Sequence, residues 1–263
     1  MTIIDEIYQD DGKDSGSTAG HPRIISLANQ KGGVGKTTTA INLGTGLAAM
    51  GSRVLVVDLD PQGNASTGLG IERAQRQQGT YQVLLEGMKL DAAVRETAVP
   101  RLSVLPASVD LAGAEIELVT EARREYRLAD ALAGVEARFD HVLIDCPPSL
   151  NMLTLNALVA ADALLVPLQT EFYALEGLSY LVQTVERVKR SFNPRLELGG
   201  IVLTMFDRRN TLSEAVASDV RTHFADKVFD TVVPRNVRVS EAPSHGLPVL
   251  VHDHRCVGAQ AYI

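Results

Sequence analysis

Short apolar runs alternate with amphipathic stretches along most of this chain. The apolar runs at 54–57 and 163–167 contain almost no polar residue, which is typical of strands that are covered on both faces of a parallel sheet. After Phe172 the apolar residues instead recur about once per helical turn, and this predicts a core-facing helix. The recurring residues are Leu175, Leu178, Leu181, Val185 and Val188.

The same pattern predicts the order of elements. We expect strands at 24–29, 53–59, 101–105, 139–145, 163–168, 198–205 and 228–233. We expect helices at 36–50, 110–133, 151–160, 172–190 and 211–225, with a mixed stretch up to about residue 100. Strands that alternate with helices predict an α/β fold, here a mostly parallel, doubly wound sheet with helices on both faces.

The two ends of the chain differ from this pattern. Residues 1–22 are rich in Asp, Gly and Ser, and we expect a flexible N-terminal arm there. Residues 23–263 should form a single domain, since their length is sufficient for one large α/β core. Residues 257–263 resemble the first turn of a helix that ends before it buries anything. We therefore expect the domain to lack part of its C-terminal helix.

A glycine loop with two lysines follows the first predicted strand. Glycines let backbone N–H groups approach phosphate oxygens closely, and the helix N-terminus behind them adds partial positive charge. Lys36 is placed to reach the β- and γ-phosphates, and the hydroxyl of Thr37 suits Mg²⁺. The usual pattern has Gly where this chain has Gln30, and the next residue is an additional lysine. The predicted nucleotide-binding residues are Lys31, Gly32, Gly33, Val34, Gly35, Lys36, Thr37 and Thr38.

Two further predicted strands end in carboxylates. Side chains alternate along a strand, so Asp58 and Asp60 should point to the same side. A proline and a glycine soon after Asp60 end that strand, which places both acids at the carboxyl edge, where open α/β sheets bind ligands. Such an acid can orient or deprotonate a water, although both could also simply cap the following turn. Asp145 ends the strand at 139–145, a position that suits anchoring of a Mg²⁺ water shell.

Composition excludes several classes of protein. The two cysteines, Cys146 and Cys256, lack metal-ligand spacing, so we expect neither a disulfide framework nor a zinc site. Cys146 is expected to be a small buried thiol. No apolar run approaches the roughly 18 residues of a membrane span, and we expect a soluble, cytoplasmic protein. The formal net charge of −7 argues mildly against nucleic acid, but charge acts locally because it is screened over about 8 Å.

These motifs together resemble those of a known family. The run at 31–38 is similar to the deviant phosphate loop of the ParA/MinD class of ATPases, and the Asp-Leu-Asp-Pro-Gln-Gly-Asn run at 58–64 matches the second motif of that class. With the runs at 204–207 and 233–246, the similarity extends from residue 23 to residue 262. The chain resembles a ParA/Soj-type chromosome partition ATPase.

The resemblance implies roles for individual residues. It implies ATP and Mg²⁺ as cofactors, with Thr37, Asp58 and Asp145 near the metal. It implies that Lys31, Lys36 and Asp60 take part in hydrolysis, with Asp60 activating the water. Lys31 would reach across a dimer interface to the nucleotide of the partner. Adenine would lie against Pro234 and Asn236, although Asn236 could instead be only a turn residue after a proline.

The resemblance also implies partners. Members form a sandwich dimer with ATP, bind double-stranded DNA without sequence preference, and release it when a ParB-like protein stimulates slow ATP hydrolysis. Nonspecific binding requires only cations at phosphate spacing. The candidates are Arg208, Arg209, Arg221, Arg235 and Arg238, with Arg187, Lys189, Arg190 and Lys227 as further possibilities. Any one of them could instead be a solvated surface charge. Association with the nucleoid would follow from DNA binding.

Other functions use the same loop. A MinD-like membrane-surface ATPase would need a terminal basic amphipathic helix, which this sequence lacks, although the expected truncation weakens that objection. An orphan relative that positions another cargo by the same mechanism stays open. A nitrogenase-reductase-like electron carrier would need cysteines for an iron–sulfur cluster, and the contexts of Cys146 and Cys256 do not match that pattern.

Overall fold

A computed structural model describes residues 23–263, and the predicted arm at 1–22 lies outside the described residues. The strands are β1 (Arg23–Leu27), β2 (Val54–Asp58), β3 (Arg95–Glu96), β4 (Leu102–Leu105), β5 (His141–Asp145), β6 (Ala163–Gln169), β7 (Glu197–Phe206) and β8 (Val228–Pro234). They form one eight-stranded sheet in the order β3-β4-β2-β5-β1-β6-β7-β8. Only the pairing of β3 with β4 is antiparallel.

Helices connect the parallel strands. They are α1 (Lys36–Ala49), α2 (Asn64–Gly68), α3 (Thr80–Leu85), α4 (Leu90–Ala93), α5 (Leu111–Glu117), α6 (Arg127–Ala131), α7 (Met152–Ala160), α8 (Ala174–Ser191), α9 (Thr211–Phe224), α10 (Val237–Glu241), α11 (Val249–His252) and α12 (Val257–Gln260). Asparagine side chains cap three of them, because Asn151, Asn210 and Asn236 each accept from a backbone N–H in the first turn of α7, α9 and α10, respectively.

The core lies on both faces of the sheet. In β2, Leu55 and Val57 belong to a cluster with residues of α7 and α8, whereas Val54 and Val56 belong to a second cluster with α1. Both sides of the strand are therefore apolar, and its sequence lacks the alternation of polar and apolar residues that a half-exposed strand shows. The predicted doubly wound α/β architecture is confirmed.

The single helix predicted at 110–133 is wrong. α5 gives way to a 3₁₀ turn at Leu118–Thr120, and α6 begins only after an irregular segment. The side chain of Asn156, on α7, holds that segment: its amide donates to the carbonyl of Arg124 (2.8 Å) and its oxygen accepts from the N–H of Leu128 (3.1 Å). A buried side chain from another helix thus satisfies the backbone groups that a continuous helix would have paired.

Two smaller expectations also fail. The helix predicted to start at residue 172 begins only at Ala174, and Phe172 before it is 73% exposed. The final segment does bury a side chain, because Tyr262 is 1% exposed and its hydroxyl lies 3.2 Å from the Thr39 hydroxyl of α1.

Candidate nucleotide site

The glycine loop joins β1 to α1 at the carboxyl edge of the sheet. Gly33 and Gly35 have φ angles of 74° and 88°, values that residues with a Cβ rarely adopt. Gly35 directly precedes α1, and its left-handed conformation turns the chain into the helix. The hydroxyl of Thr204, on β7, donates to the Val34 carbonyl at 2.7 Å and fixes the loop from the other side.

Both lysines of the loop contact the protein itself. Lys36 Nζ donates to the carbonyl of Lys31 at 3.1 Å, and Lys31 Nζ forms an ion pair with Glu171, in the turn between β6 and α8. Asn29 supports the arrangement, since its oxygen accepts from the Lys31 N–H (3.1 Å) and its amide donates to the carbonyl of Pro167 (2.8 Å). The two ammonium groups therefore lie at one edge of the sheet but point to different partners.

Three carboxylates lie at the same edge. Asp58 and Asp145 are directly opposite each other in the pairing of β2 with β5, and both are fully buried. Asp60 is 8% exposed. The structure thus brings together the acids that the sequence predicted for this site.

Asp58 is held by hydrogen bonds. One of its oxygens accepts from the backbone N–H (2.8 Å) and the hydroxyl (2.6 Å) of Ser66, and the other accepts from the Asp60 N–H (3.3 Å). Burial raises the pKa of Asp58 to about 6, although the Ser66 bonds act in the opposite direction. Its position is therefore set by the start of α2, in agreement with the turn-capping alternative.

Asp145 is buried without hydrogen bonds of good geometry. Neither of its oxygens has such a partner in residues 23–263. The Thr37 hydroxyl is nevertheless close enough to oppose the rise in its pKa. Burial and then the charge of Asp58 hold the pKa of Asp145 well above its usual range. Burial also lowers the pKa of Lys36, while the Asp145 carboxylate acts to raise it.

These residues suit a hydrated magnesium ion. Mg²⁺ prefers oxygen ligands and usually keeps several waters, with one or two carboxylates and substrate phosphates completing its shell. Asp145 offers two oxygens without a good donor, and the Thr37 hydroxyl is adjacent. No group of three or more His, Cys, Asp or Glu side chains within 23–263 could hold a metal by itself. A site that includes the substrate's phosphates fits this donor set.

Asp60 lies at the start of a tight turn. Its side chain accepts from the N–H of Gln62 at 2.9 Å, and its carbonyl accepts from the N–H of Gly63 at 2.8 Å. The guanidinium of Arg76, which is 5% exposed, donates to the carbonyl of Gly63 (3.0 Å) and to the hydroxyl of Thr67 (2.9 Å). Arg76 therefore braces the loop that follows Asp60.

A cavity of about 630 Å³ opens where β7 and β8 end. Pro234 lines it, and so do three of the predicted DNA-binding residues, Arg208, Arg209 and Arg235. Asn236 is adjacent in sequence and caps α10, since its oxygen accepts from the Arg238 N–H at 2.9 Å. The structure thus brings the predicted adenine contacts next to a cationic surface.

The predicted DNA-binding arginines differ in their partners. Arg209 pairs with Asp207, Arg221 with Asp230, and Arg238 with both Glu241 and Asp253. Arg208 and Arg235 are exposed and form no ion pair in the described part of the chain. Arg221, near the end of α9, does not line the cavity.

Sequence reasoning missed Glu171 and Arg76. Glu171 comes three residues after the end of the strand predicted at 163–168. That location, close to the carboxyl edge of the sheet, could have indicated a residue of the site. Arg76 belongs to the stretch that was predicted only as mixed, and no periodicity indicated its burial. Cys146 is buried, as expected, and burial raises the pKa of its thiol. Among residues 23–263, no helix has both the length and the apolar character to cross a membrane.

The unpartnered Asp145 carboxylate gives a pH-dependent prediction. An unfolded Asp loses its proton near pH 4, whereas folded Asp145 holds it more tightly, so ionisation lowers the stability of the empty protein as pH rises. Asp145→Asn should therefore raise the melting temperature most at pH 8 and least near pH 4.5. Each kcal/mol corresponds to roughly 2–4 °C for a chain of this size. Thermal unfolding followed by circular dichroism in EDTA, without nucleotide, measures the effect.

Asp140→Asn is the control with the opposite sign. The Arg53 side chain lowers the pKa of Asp140, so this carboxylate stabilises the fold above pH 4, and its removal should lower the melting temperature at pH 8. A lower melting temperature for Asp145→Asn at pH 8 would contradict the assignment of an uncompensated buried charge.

The sequence of this chain is similar to the sequences of known proteins. A family profile described as an AAA domain matches residues 22–198. The chromosome partitioning protein ParA of Caulobacter vibrioides (strain NA1000 / CB15N) is 64% identical over 244 residues, which cover 92% of this chain and 91% of that one. The sporulation initiation inhibitor protein Soj of Bacillus subtilis (strain 168) is 52% identical, with 92% and 95% covered.

Solved structures give the same result. Cobyrinic acid a,c-diamide synthase from Mycobacterium smegmatis, with bound ADP and magnesium, has a TM-score of 0.81 and 40% identity, with 92% of this chain and 91% of that one covered. The septum site-determining protein MinD of Pyrococcus horikoshii OT3, complexed with Mg-ADP, has a TM-score of 0.74 and 26% identity, with 92% and 93% covered. The chain therefore belongs to the ParA/Soj family of chromosome-partitioning ATPases.

Proposed function

We propose that this chain is an ATP-driven switch for DNA segregation, in which ATP joins two copies, the dimer binds DNA, and a ParB-like partner stimulates the hydrolysis that releases it. The observation that carries the proposal is the meeting of the two-lysine loop with three carboxylates at one sheet edge. Names of the relatives at 64% and 52% identity support the segregation role.

Nucleotide binding uses the loop and the cavity at the ends of β7 and β8. The backbone N–H groups of residues 32–38 and the Lys36 ammonium hold the phosphates, and the adenine enters the cavity beside Pro234 and Asn236. Thr37 and Asp145 would hold Mg²⁺, with Asp58 behind them, and the ion would neutralise charge that develops on the phosphates.

Hydrolysis depends on Asp60. Asp60 is 8% exposed whereas Asp58 and Asp145 are fully buried, so of the three acids it is the one that a water can most readily reach to be oriented toward the γ-phosphate. Asp58 is too enclosed for this role, because it is fully buried and its oxygens accept hydrogen bonds from Ser66 and from the Asp60 N–H. Turnover is slow without a partner because the loops that flank the site must be ordered for reaction.

Dimerisation depends on Lys31. Its side chain is half-exposed and its ion pair with Glu171 lies at the surface, where such a pair is worth at most about 1 kcal/mol. The γ-phosphate of a second copy can therefore replace Glu171 as its partner. A phosphate contacted from both sides makes the dimer depend on the nucleotide state.

DNA binding uses the arginines around the cavity. Arg208 and Arg235 are exposed and unpaired among described residues, so phosphates can approach them without breaking an ion pair. The protein would then be cytoplasmic and associated with the nucleoid. The DNA contacts add electrostatic affinity without sequence preference.

The two lysines of the loop should have separable roles. Lys36→Ala should weaken ATP binding by about 10- to 100-fold, because a charge-assisted hydrogen bond contributes roughly 1.5–3 kcal/mol. Lys31→Ala should bind ATP with an affinity within a few-fold of that of the wild type, yet it should remain monomeric with ATP. Titration with a fluorescent ATP analogue and analytical ultracentrifugation measure the two effects, with Lys89→Ala as the control on an exposed lysine. Equal loss of nucleotide affinity in both variants would mean that the lysines serve one phosphate.

Removal of the Asp60 carboxylate should separate hydrolysis from binding. We expect Asp60→Ala to lose at least about 100-fold in the rate of phosphate release, since a positioned general base contributes 10² to 10⁴. The variant should still form the ATP dimer and still bind DNA. Normal hydrolysis by Asp60→Ala would rule out its role in activating water.

Charge reversal tests the DNA surface. Arg235→Glu should reduce the slope of log affinity against log salt by about one, the value for one phosphate contact, without loss of the ATP dimer. Lys89→Glu makes the same change in charge near the opposite edge of the sheet and should leave the slope unaltered. Co-sedimentation with double-stranded DNA at several salt concentrations provides the measurement. An unchanged slope for Arg235→Glu would remove Arg235 from the DNA surface.

A further inference from the structure

An exposed apolar stripe runs along α5. Val109 is 74% exposed, Ile116 78% and Val119 56%, and Ala112 between them is also exposed. These positions follow the spacing i, i+3, i+7 and i+10, which places them along one side of a helix. The backbone is helical at the flanking Asp110 and Leu118 as well, so the stripe continues past both ends of α5.

α5 carries a second apolar stripe on its other side. Leu111, Ala114 and Leu118 are all fully buried in the main core cluster. These residues pack the helix onto the domain, and no residue of the outer stripe belongs to that cluster. A surface helix normally shows one apolar face, whereas an additional exposed one marks a site of interaction.

Carboxylates flank the outer stripe. Asp110 and Glu117 lie on one side of it and Glu115 on the other, and none of the three forms an ion pair within the described residues. The sequence has no Lys or Arg between Arg101 and Arg123. Two copies of this face would bring like charges together, which disfavours self-association through it. The charge pattern instead suits a basic partner.

Hydrogen bonds join α5 and the segment before it to α7 and α2, the helices that follow the two buried acids. Glu115 accepts from the amide of Asn151, which caps α7 shortly after Asp145. At the other end, the backbone N–H of Ala107 donates to the Ser66 hydroxyl at 3.0 Å, and that hydroxyl donates to Asp58.

A cavity also connects the stripe to the site. It has a volume of about 360 Å³, and Val109 and Asp110 line it together with Pro61 and Gln62, the two residues after Asp60. A ligand on the stripe therefore lies next to the loop that positions the water-activating carboxylate.

We propose that the outer face of α5 is the docking site for the hydrolysis-stimulating partner, and that the docking segment is a basic amphipathic helix. Its apolar residues would cover Val109, Ile116 and Val119, and its Lys or Arg residues would meet Asp110, Glu115 and Glu117. The inference rests on the proposed function, because it places the partner of that ATPase cycle. Docking here would order the start of α7 through the hydrogen bond of Glu115 and order α2 through that of Ala107.

The test uses full-length variants and the ParB-like protein of the same genome. Ile116→Ser should raise the partner concentration for half-maximal ATPase stimulation about tenfold or more, because central apolar anchors carry most interface energy. Glu117→Gln should raise it about two- to fivefold at low salt and less at high salt. Basal ATPase, ATP-dependent dimer mass and melting temperature should match the wild type. Leu212→Ser and Glu214→Gln, the same changes on the exposed surface of α9, should have no effect.

The outcomes separate the inference from the function on which it rests. Wild-type stimulation at an unchanged partner concentration in Ile116→Ser overturns the docking site while the proposed function stands. Loss of the ATP dimer in Ile116→Ser would make the stripe a contact between copies and would equally overturn the proposal. Absence of stimulation in the wild type itself removes the partner step from the proposed function, and the docking site fails with it.

Discussion

The structure depends on charge that is buried at one edge of its sheet. Asp58 and Asp145 end adjacent strands in register and are fully buried, and Lys36 begins the helix beside them. Burial raises the pKa of both acids and lowers that of the lysine, so the empty site carries an electrostatic penalty. A polyphosphate with a divalent cation is the kind of ligand that relieves this penalty. Ligand binding therefore explains why charged residues are buried at this edge.

That edge also explains how a small change at the phosphates can reach the surface. The loop after Asp60 is braced by Arg76, Asp58 is fixed by Ser66, and the segment after Asp145 ends at the Asn151 cap. The first two contacts are hydrogen bonds that join residues beside the site to neighbouring elements, and the third holds the start of α7. Stimulation by a partner would need to shift only such contacts, and solved structures with similar folds carry names as different as an amide synthase and MinD. Both of those structures contain ADP and magnesium, so the shared fold accommodates a nucleotide.

Much of this arrangement was predictable from the sequence. Continuous apolar runs gave the parallel strands, and the glycine loop with the strand-end acids gave the site, because the carboxyl ends of parallel strands meet at one edge. The break between α5 and α6 was not predictable, because it depends on Asn156 from a helix elsewhere in the chain. The burial of Tyr262 and the contacts of Arg76 are likewise tertiary. The Lys31–Glu171 pair joins residues that are 140 positions apart, and no local sequence pattern predicts such a pair.

The proposed cycle requires ATP to be held between two copies of this chain. Analytical ultracentrifugation of the wild type with magnesium and a non-hydrolysable ATP analogue tests it most directly. We expect the mass of one 28.3 kDa chain without nucleotide and of two chains at saturating analogue. A single-chain mass at saturating analogue, with binding of the analogue verified in the same sample, would contradict it.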